Sequence, residues 1–169
     1  MTSVRRWWDE QALPRLVDVA LADATSGTWR TTVCVGATGE VLEIGFGSGR
    51  NLPYYGDTVT RVLAVEPADL AWARAKARVT ASGMPVTRVG LDGADLPVPD
   101  ASVDTVVSTW TLCTVPEVER ALHEARRVLR PGGQLRFVEH SAAPSRRVAG
   151  IQRRIQPLWG RVAGGCHVD

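Results

Sequence analysis

The stretch Val41-Leu42-Glu43-Ile44-Gly45-Phe46-Gly47-Ser48-Gly49 is the densest run of chemistry-bearing positions in the chain. An apolar run carrying one acid leads into glycines on alternate positions. Glycine has no Cβ, so it accepts positive φ and lets a ligand lie against the backbone. A tight structural turn would use the same residues, and the residues that follow favour a ligand. Glu66 closes a second apolar run, seventeen residues beyond Gly49. A carboxylate there can accept two hydrogen bonds from a ribose diol; a strand-end acid in a salt bridge is the plainer alternative. Asp92, Thr109 and His140 close the later runs. The His140 imidazole could take a proton from a thiol or an amine, or could hydrogen-bond backbone and shape a pocket. Cys113 could line a substrate site or be a buried, inert thiol. Trp110 and Trp159 could wall off an apolar substrate, although Trp159 fits a core position equally well.

These residues need elements to hold them. Expected strands are Glu40–Gly45, Arg61–Glu66, Pro85–Leu91, Val103–Thr109 and Gln134–His140. Helical spacing covers Trp8–Ala24, Asp69–Ala81, Pro116–Leu129 and Arg146–Val162, the last bent at Pro157, and a short helix is expected to start near Ser48 to Asn51. Arg130-Pro131-Gly132-Gly133 reads as a turn. Alternating strands and helices imply right-handed crossovers and a parallel sheet. Ligands of such sheets sit beyond the carboxyl ends of the strands, where strand order reverses. Gly45–Gly49, Glu66, Asp92, Thr109 and His140 all fall at those ends.

At 169 residues the chain is one domain with room for a hydrophobic core. Its formal charge of +2 is too small to argue for nucleic acid. The three cysteines, Cys34, Cys113 and Cys166, are widely spaced. No CxxC or Cys/His spacing of zinc type is present, so free thiols in a reducing compartment are expected, and no metal. There is no apolar run long enough to span a bilayer and no signal-peptide core behind Arg5-Arg6, so the expected location is cytoplasmic. Trp7-Trp8 beside Arg5-Arg6 reads as a helix start packed on the domain, with an interfacial anchor as the minority reading. Arg146, Arg147, Arg153, Arg154 and Arg161 read as a solvated helix face, with contact to lipid headgroups at a membrane periphery as the lesser alternative.

Glycine spacing separates two cofactor classes. The nicotinamide fingerprint is G-x-G-x-x-G; here the third glycine comes one residue early, Arg50 takes its place, and Glu43 sits inside the strand. An NAD-dependent oxidoreductase is thereby disfavoured. The pattern E-x-G-x-G-x-G resembles that of class I S-adenosylmethionine (SAM)-dependent methyltransferases. The resemblance continues in order through Leu63-Ala64-Val65-Glu66-Pro67, then Asp92-Gly93-Ala94-Asp95-Leu96-Pro97, with Gly93 where alanine is usual. It goes on through Ser102-Val103-Asp104-Thr105-Val106-Val107 and Arg127-Val128-Leu129-Arg130-Pro131-Gly132-Gly133. It spans roughly Gly39 to Ser141. Within the family the chain looks closest to the ubiquinone-biosynthesis-like branch, near small bacterial phosphatidylethanolamine N-methyltransferases and alkyl thiol methyltransferases. Asn51-Leu52-Pro53-Tyr54-Tyr55, Thr111-Leu112-Cys113-Thr114-Val115, Glu139-His140 and Gly164-Gly165-Cys166-His167 carry that likeness.

The resemblance implies an α/β, Rossmann-like, mostly parallel sheet in the order 3-2-1-4-5 with helices on both faces. It divides the chain into an N-terminal helical lid (1–38), a SAM-binding core (39–141) and a C-terminal helix and tail (142–169). By the same resemblance the backbone of Gly45, Gly47 and Gly49 passes under the methionine and ribose, with Asn51 beside it. Glu43 helps fix the methionine ammonium end, directly or through water, and the Thr109 carbonyl faces the amino group. Glu66 holds the ribose, Pro67 packs on adenine, and Asp92 with the Gly93 amide binds the adenine amino group. Asp104 orders the start of its strand. The implied reaction moves a methyl group from SAM to a small hydrophobic thiol, amine or lipid by in-line displacement, leaving S-adenosylhomocysteine. His140 is the candidate base, and Trp110, Cys113 and Trp159 are the candidate acceptor-binding residues. The family's terminal strands 6 and 7 are expected to be missing, since the sequence runs to Asp169. Three consequences stay open: a homodimer through the strand 5 edge, cover of that edge by the last helix, or a shortened SAM-binding protein with weak or no turnover.

Overall fold

The computed structural model describes residues 23–162 and 165–166, with isolated positions 7, 12, 15 and 16. The expected helix Trp8–Ala24, the Trp7-Trp8 pair as a unit, His167 and the side chain of Trp159 lie outside the described residues. Element order is α1 (Asp23–Cys34), β1 (Gly39–Ile44), β2 (Val59–Val65), α2 (Asp69–Ser82), β3 (Val86–Gly90), β4 (Val103–Thr109), α3 (Val118–Val128), β5 (Leu129–Val138) and α4 (Arg146–Val162). The five strands form one sheet in the order β3-β2-β1-β4-β5, and every neighbouring pair is parallel.

Period-2 alternation sorts the strand residues onto two cores. Val41, Val62, Ala64 and Val107 face a core completed by Val33, Cys34, Phe46, Leu52 and Ala75 from α1, the first turn and α2. Leu42, Ile44, Leu63, Val65 and Val106 face the other, completed by Leu96, Val98, Ala125 and Val128. With both faces covered, the central strands read as continuous apolar runs. Glu43 shares a face with Val41, so its carboxylate is carried into the first core, where it is 1% exposed.

Three elements differ from the sequence reading. Helix α1 is not evident from its residues, DATSGTWRTTVC, because Gly, Ser and four threonines are poor helix formers. Its threonines bond back along the helix instead: Thr31 Oγ1 donates to Gly27 O and Thr32 Oγ1 to Thr28 O. The helix expected near Ser48 is a single 3-10 turn, Leu52–Tyr54, with Pro53 inside it. The Asn51 side chain makes no cap bond there; it turns into the core. Strand β5 starts at Leu129, and the pairing shifts register between Val103/Leu129 and Thr105/Gln134. Arg130–Gly133 is therefore an irregularity within the strand rather than the turn before it.

Candidate functional site

The sheet order reverses between β1 and β4, so the loops leaving their carboxyl ends flank a crevice. The loop after β1 carries Gly45, Gly47 and Gly49 at φ values of 77°, 58° and 76°, a region that suits glycine. Their surroundings differ. A Cβ on Gly45 would collide with Thr111 Oγ1, and one on Gly49 would crowd Leu52 and Phe46. At Gly47 the nearest atom would be Gly45 O at 4.0 Å. Gly45 and Gly49 therefore serve protein packing, and Gly47 faces open space.

Glu66 follows the last residue of β2 and holds that turn in place. Its Oε2 accepts from the Gly47 amide at 2.6 Å and its Oε1 from the Ala68 amide at 2.7 Å. Burial raises its pKa, and these two amide donors oppose the rise. Each oxygen retains a second acceptor direction. The Arg88 guanidinium binds the Glu66 carbonyl through Nε and Nη2 and fixes the segment from the β3 side. Pro67 is exposed at the lip. Asp92 is exposed too, and its Oδ1 accepts from the Ala94 amide at 2.8 Å. A Cβ on Gly93 would meet Ile44 Cγ2 at 2.7 Å, which accounts for glycine at that position.

Beneath the turn lies a buried polar network. Asn51 Nδ2 donates to Glu43 Oε1 (2.8 Å) and to Thr109 Oγ1 (3.1 Å). Tyr55 donates its hydroxyl to Glu43 Oε2 at 2.6 Å. Arg30 donates to Asn51 Oδ1, Thr109 Oγ1 and Ser26 Oγ, and its guanidinium lies 5.0 Å from the centre of the Trp110 ring. Desolvation pushes the Glu43 carboxyl up to about 7, against the pull of the Tyr55 and Asn51 donors and the Arg30 charge. Burial and the Glu43 charge push the Tyr55 hydroxyl up as well. Glu43 and Asn51 thus stand under the loop, and the network fixes its shape. Arg30 and Ser26 escape a motif search because no spacing links α1 to the loop after β1, and Tyr55, within the Asn51–Tyr55 segment, gives no local sign of its bond to Glu43.

The loop after β4 is organised by Glu139. Its Oε1 accepts from Ser108 Oγ and from the amides of Thr111 and Leu112, and its Oε2 from the Cys113 amide. Trp110 sits at φ 53°, a strained conformation for an aromatic residue, pinned by its amide to Val138 O at 2.8 Å. Thr109 O accepts from Thr111 Oγ1 at 3.2 Å. His140, one residue further, is exposed and turns Nδ1 toward Cys113 Sγ and Cys166 Sγ. Burial and the nearby Glu139 carboxylate push the Cys113 thiol up. Cys34 lies elsewhere, buried in the first core, and burial pushes its thiol up too.

Residues 42–137 match the family described as a methyltransferase domain, more than half of the chain. The chain belongs to the class I SAM-dependent methyltransferases. Curated relatives agree, and a solved structure shares the fold. A phosphatidylethanolamine N-methyltransferase of Cereibacter sphaeroides is 36% identical over 75% of this chain and 63% of its own length. A human thiol S-methyltransferase is 37% identical over 78% of this chain and 56% of its own. The chain thus spans about three-fifths of the length of these relatives. The crystal structure of a SAM-dependent methyltransferase from Aquifex aeolicus shares the fold at 22% identity, with a TM-score of 0.56 over 85% of this chain and 75% of that one.

The methyltransferase crevice fits the family's cofactor on three observations. Gly47 leaves room where a side chain would stand, Glu66 offers acceptor directions at the end of β2, and Asp92 is open at the end of β3.

Proposed function

We propose that the chain transfers the methyl group of SAM to a small hydrophobic thiol, with an amine or a lipid headgroup as the competing acceptor. The observation that carries the reading is Gly47: a left-handed residue under open space, its amide held 2.6 Å from the Glu66 carboxylate. A backbone fixed in that way gives a flat floor on which a nucleoside can rest. SAM supplies an activated methyl group with its leaving group built in, so the chain's part is binding, alignment and exclusion of water.

The residues divide that work. Gly47, Glu66, Pro67, Asp92 and Gly93 hold the nucleoside. Glu43, Asn51, Arg30 and Tyr55 set the shape of the loop and the position of Thr109. The acceptor meets the methyl group beside Trp110 and Cys113, where Glu139 holds the loop after β4. Thiol as the first choice follows the name of the human relative, and amine or lipid that of the bacterial one. The test is production of S-adenosylhomocysteine with alkyl thiols, alkyl amines and phosphatidylethanolamine vesicles. Fastest turnover with the thiols is expected. Turnover confined to the vesicles would move the assignment to lipid, and SAM binding with no turnover would leave a SAM-binding protein.

One observation favours action at a membrane surface. Helix α4 exposes Val148, Ile151 and Ile155, spaced for one face, beside exposed Arg146, Arg147, Arg153 and Arg154. An apolar stripe flanked by cations suits a bilayer interface. Among the described residues no helix is long and apolar enough to cross a membrane. Sedimentation with anionic vesicles tests this: Ile151→Asp should reduce the bound fraction, and equal binding would exclude α4 as the contact.

A further inference from the structure

Cys113, His140 and Cys166 come from three segments: the turn after β4, the end of β5 and the stretch beyond α4. Their ligand-capable atoms converge. Cys113 Sγ lies 3.5 Å from Cys166 Sγ and 3.6 Å from His140 Nδ1, and Cys166 Sγ lies 3.5 Å from the same nitrogen. Tetrahedral zinc, with Zn–S of about 2.3 Å and Zn–N of about 2.0–2.1 Å, places adjacent sulfurs about 3.8 Å apart and sulfur and nitrogen about 3.5 Å apart. Both sulfur–nitrogen distances match, and the sulfurs need to part by only a few tenths of an ångström. We propose that Cys113, His140 and Cys166 bind a thiophilic divalent cation of the zinc class, with the fourth position open.

The surroundings hold this triangle in place. Glu139, next to His140, accepts the Cys113 amide at 3.3 Å and so ties the two ligand segments together. Gln156, buried on α4, donates to the Cys166 carbonyl at 2.7 Å. His140 is exposed, which leaves a solvent side for a fourth ligand. Two thiols and an imidazole select a soft ion over magnesium or calcium. Three protein ligands are the number found where zinc keeps a position for substrate.

The site stands at the acceptor side of the crevice, at the ends of β4 and β5. Resting on the thiol reading above, an acceptor R–SH would take the fourth position. Its sulfur bonds to the cation, its proton leaves to solvent, and the bound thiolate is the nucleophile that methyl transfer requires.

The test is titration of cobalt(II) into reduced, chelator-treated full chain under anaerobic conditions. One equivalent should bind with a strong thiolate-to-cobalt charge-transfer band, displaced by zinc. Cys113→Ser and Cys166→Ser should each cut the band by about half or more. His140→Ala, at an exposed position, should preserve the fold and weaken binding by at least the roughly 10- to 100-fold seen when an outer partner of a metal ligand is lost. No stoichiometric binding, or an unchanged band in the Cys113→Ser/Cys166→Ser double variant, would overturn the site. An alkyl thiol should shift the band, and an unmoved band would overturn the fourth-position role. Calorimetry with SAM on the same preparations keeps the two readings apart. SAM binding without a cobalt band removes only the metal site, and a band without SAM binding removes only the proposed methyl transfer.

Discussion

The two flanks of the crevice are built by opposite means. On the β2 side the surface is main chain: glycines at positive φ, with the Gly47 and Ala68 amides locked on Glu66. On the β5 side it is side chain: Cys113, His140 and Cys166 converge from three segments beside Trp110, on a loop that Glu139 anchors through the Thr111 and Cys113 amides. A backbone surface offers no side chain to exchange, so it suits a ligand that never varies. A side-chain surface can be re-specified one residue at a time, so it suits an acceptor. The division also separates what lesions should reach: cofactor affinity on the first flank, acceptor handling on the second.

The largest effect is expected where the flanks touch. Gly45→Ala drives a methyl group into Thr111 at a φ of 77°; strain and overpacking together should cost about 2–6 kcal/mol in chemical denaturation. A loss under 1 kcal/mol would mean that the contact yields easily. Gly47→Ala, with open space above it, should lose only about 1–2 kcal/mol of stability while losing SAM affinity.

The buried network gives a pH signature of similar size. Glu43 is raised from 4.5 in its ordinary state to about 7 in the fold, so the native state holds a proton that the unfolded chain has released. Its contribution is fully present below about pH 4.5 and is lost as pH rises through about 7, about 3 kcal/mol in all. Glu66, also raised, adds a slope of the same sign. Asp104 is lowered by the Glu40 amide and then Arg130, and Glu124 by Arg127 and the Leu96 amide; they act oppositely, giving up stability only as pH falls below their ordinary range. Urea melts from pH 4.5 to 8 should show the decline. Glu43→Gln should flatten it, and an equally steep variant would place the charge burial elsewhere.

A smaller effect tests the β5 flank. Glu139→Ala removes the acceptor for Ser108 and for the Thr111, Leu112 and Cys113 amides. It should destabilise by about 1–3 kcal/mol and raise KM for the acceptor, with SAM affinity retained. An equal loss of SAM affinity would mean that the flanks are not separable.

The same contrast explains what could be read from the residues. All five strands and the glycine turn follow from contiguous segments whose local pattern is their structure, and the strand order follows from the resemblance of those segments to a known family. Glu66 is visible because its distance from the turn is fixed by one crossover. The network under the turn is not, since Arg30 reaches Asn51 across 21 positions and Thr109 across 79. Nor is the Cys113–His140–Cys166 triangle, whose members lie 26 or more residues apart. A search for zinc spacings finds ligands on one hairpin or helix, and here the sheet brings them together. Helix α1 was hidden for a different reason: its composition opposes helix, and packing on the sheet overrides it.

Calorimetric titration of SAM into the wild type, Glu66→Ala and His140→Ala addresses the division of the crevice most directly. Loss of the Glu66 carboxylate should weaken binding by about 1–3 kcal/mol, and loss of the His140 imidazole should leave it unchanged. Full affinity in Glu66→Ala, or an equal loss in His140→Ala, would contradict the assignment of the cofactor to the backbone-built flank.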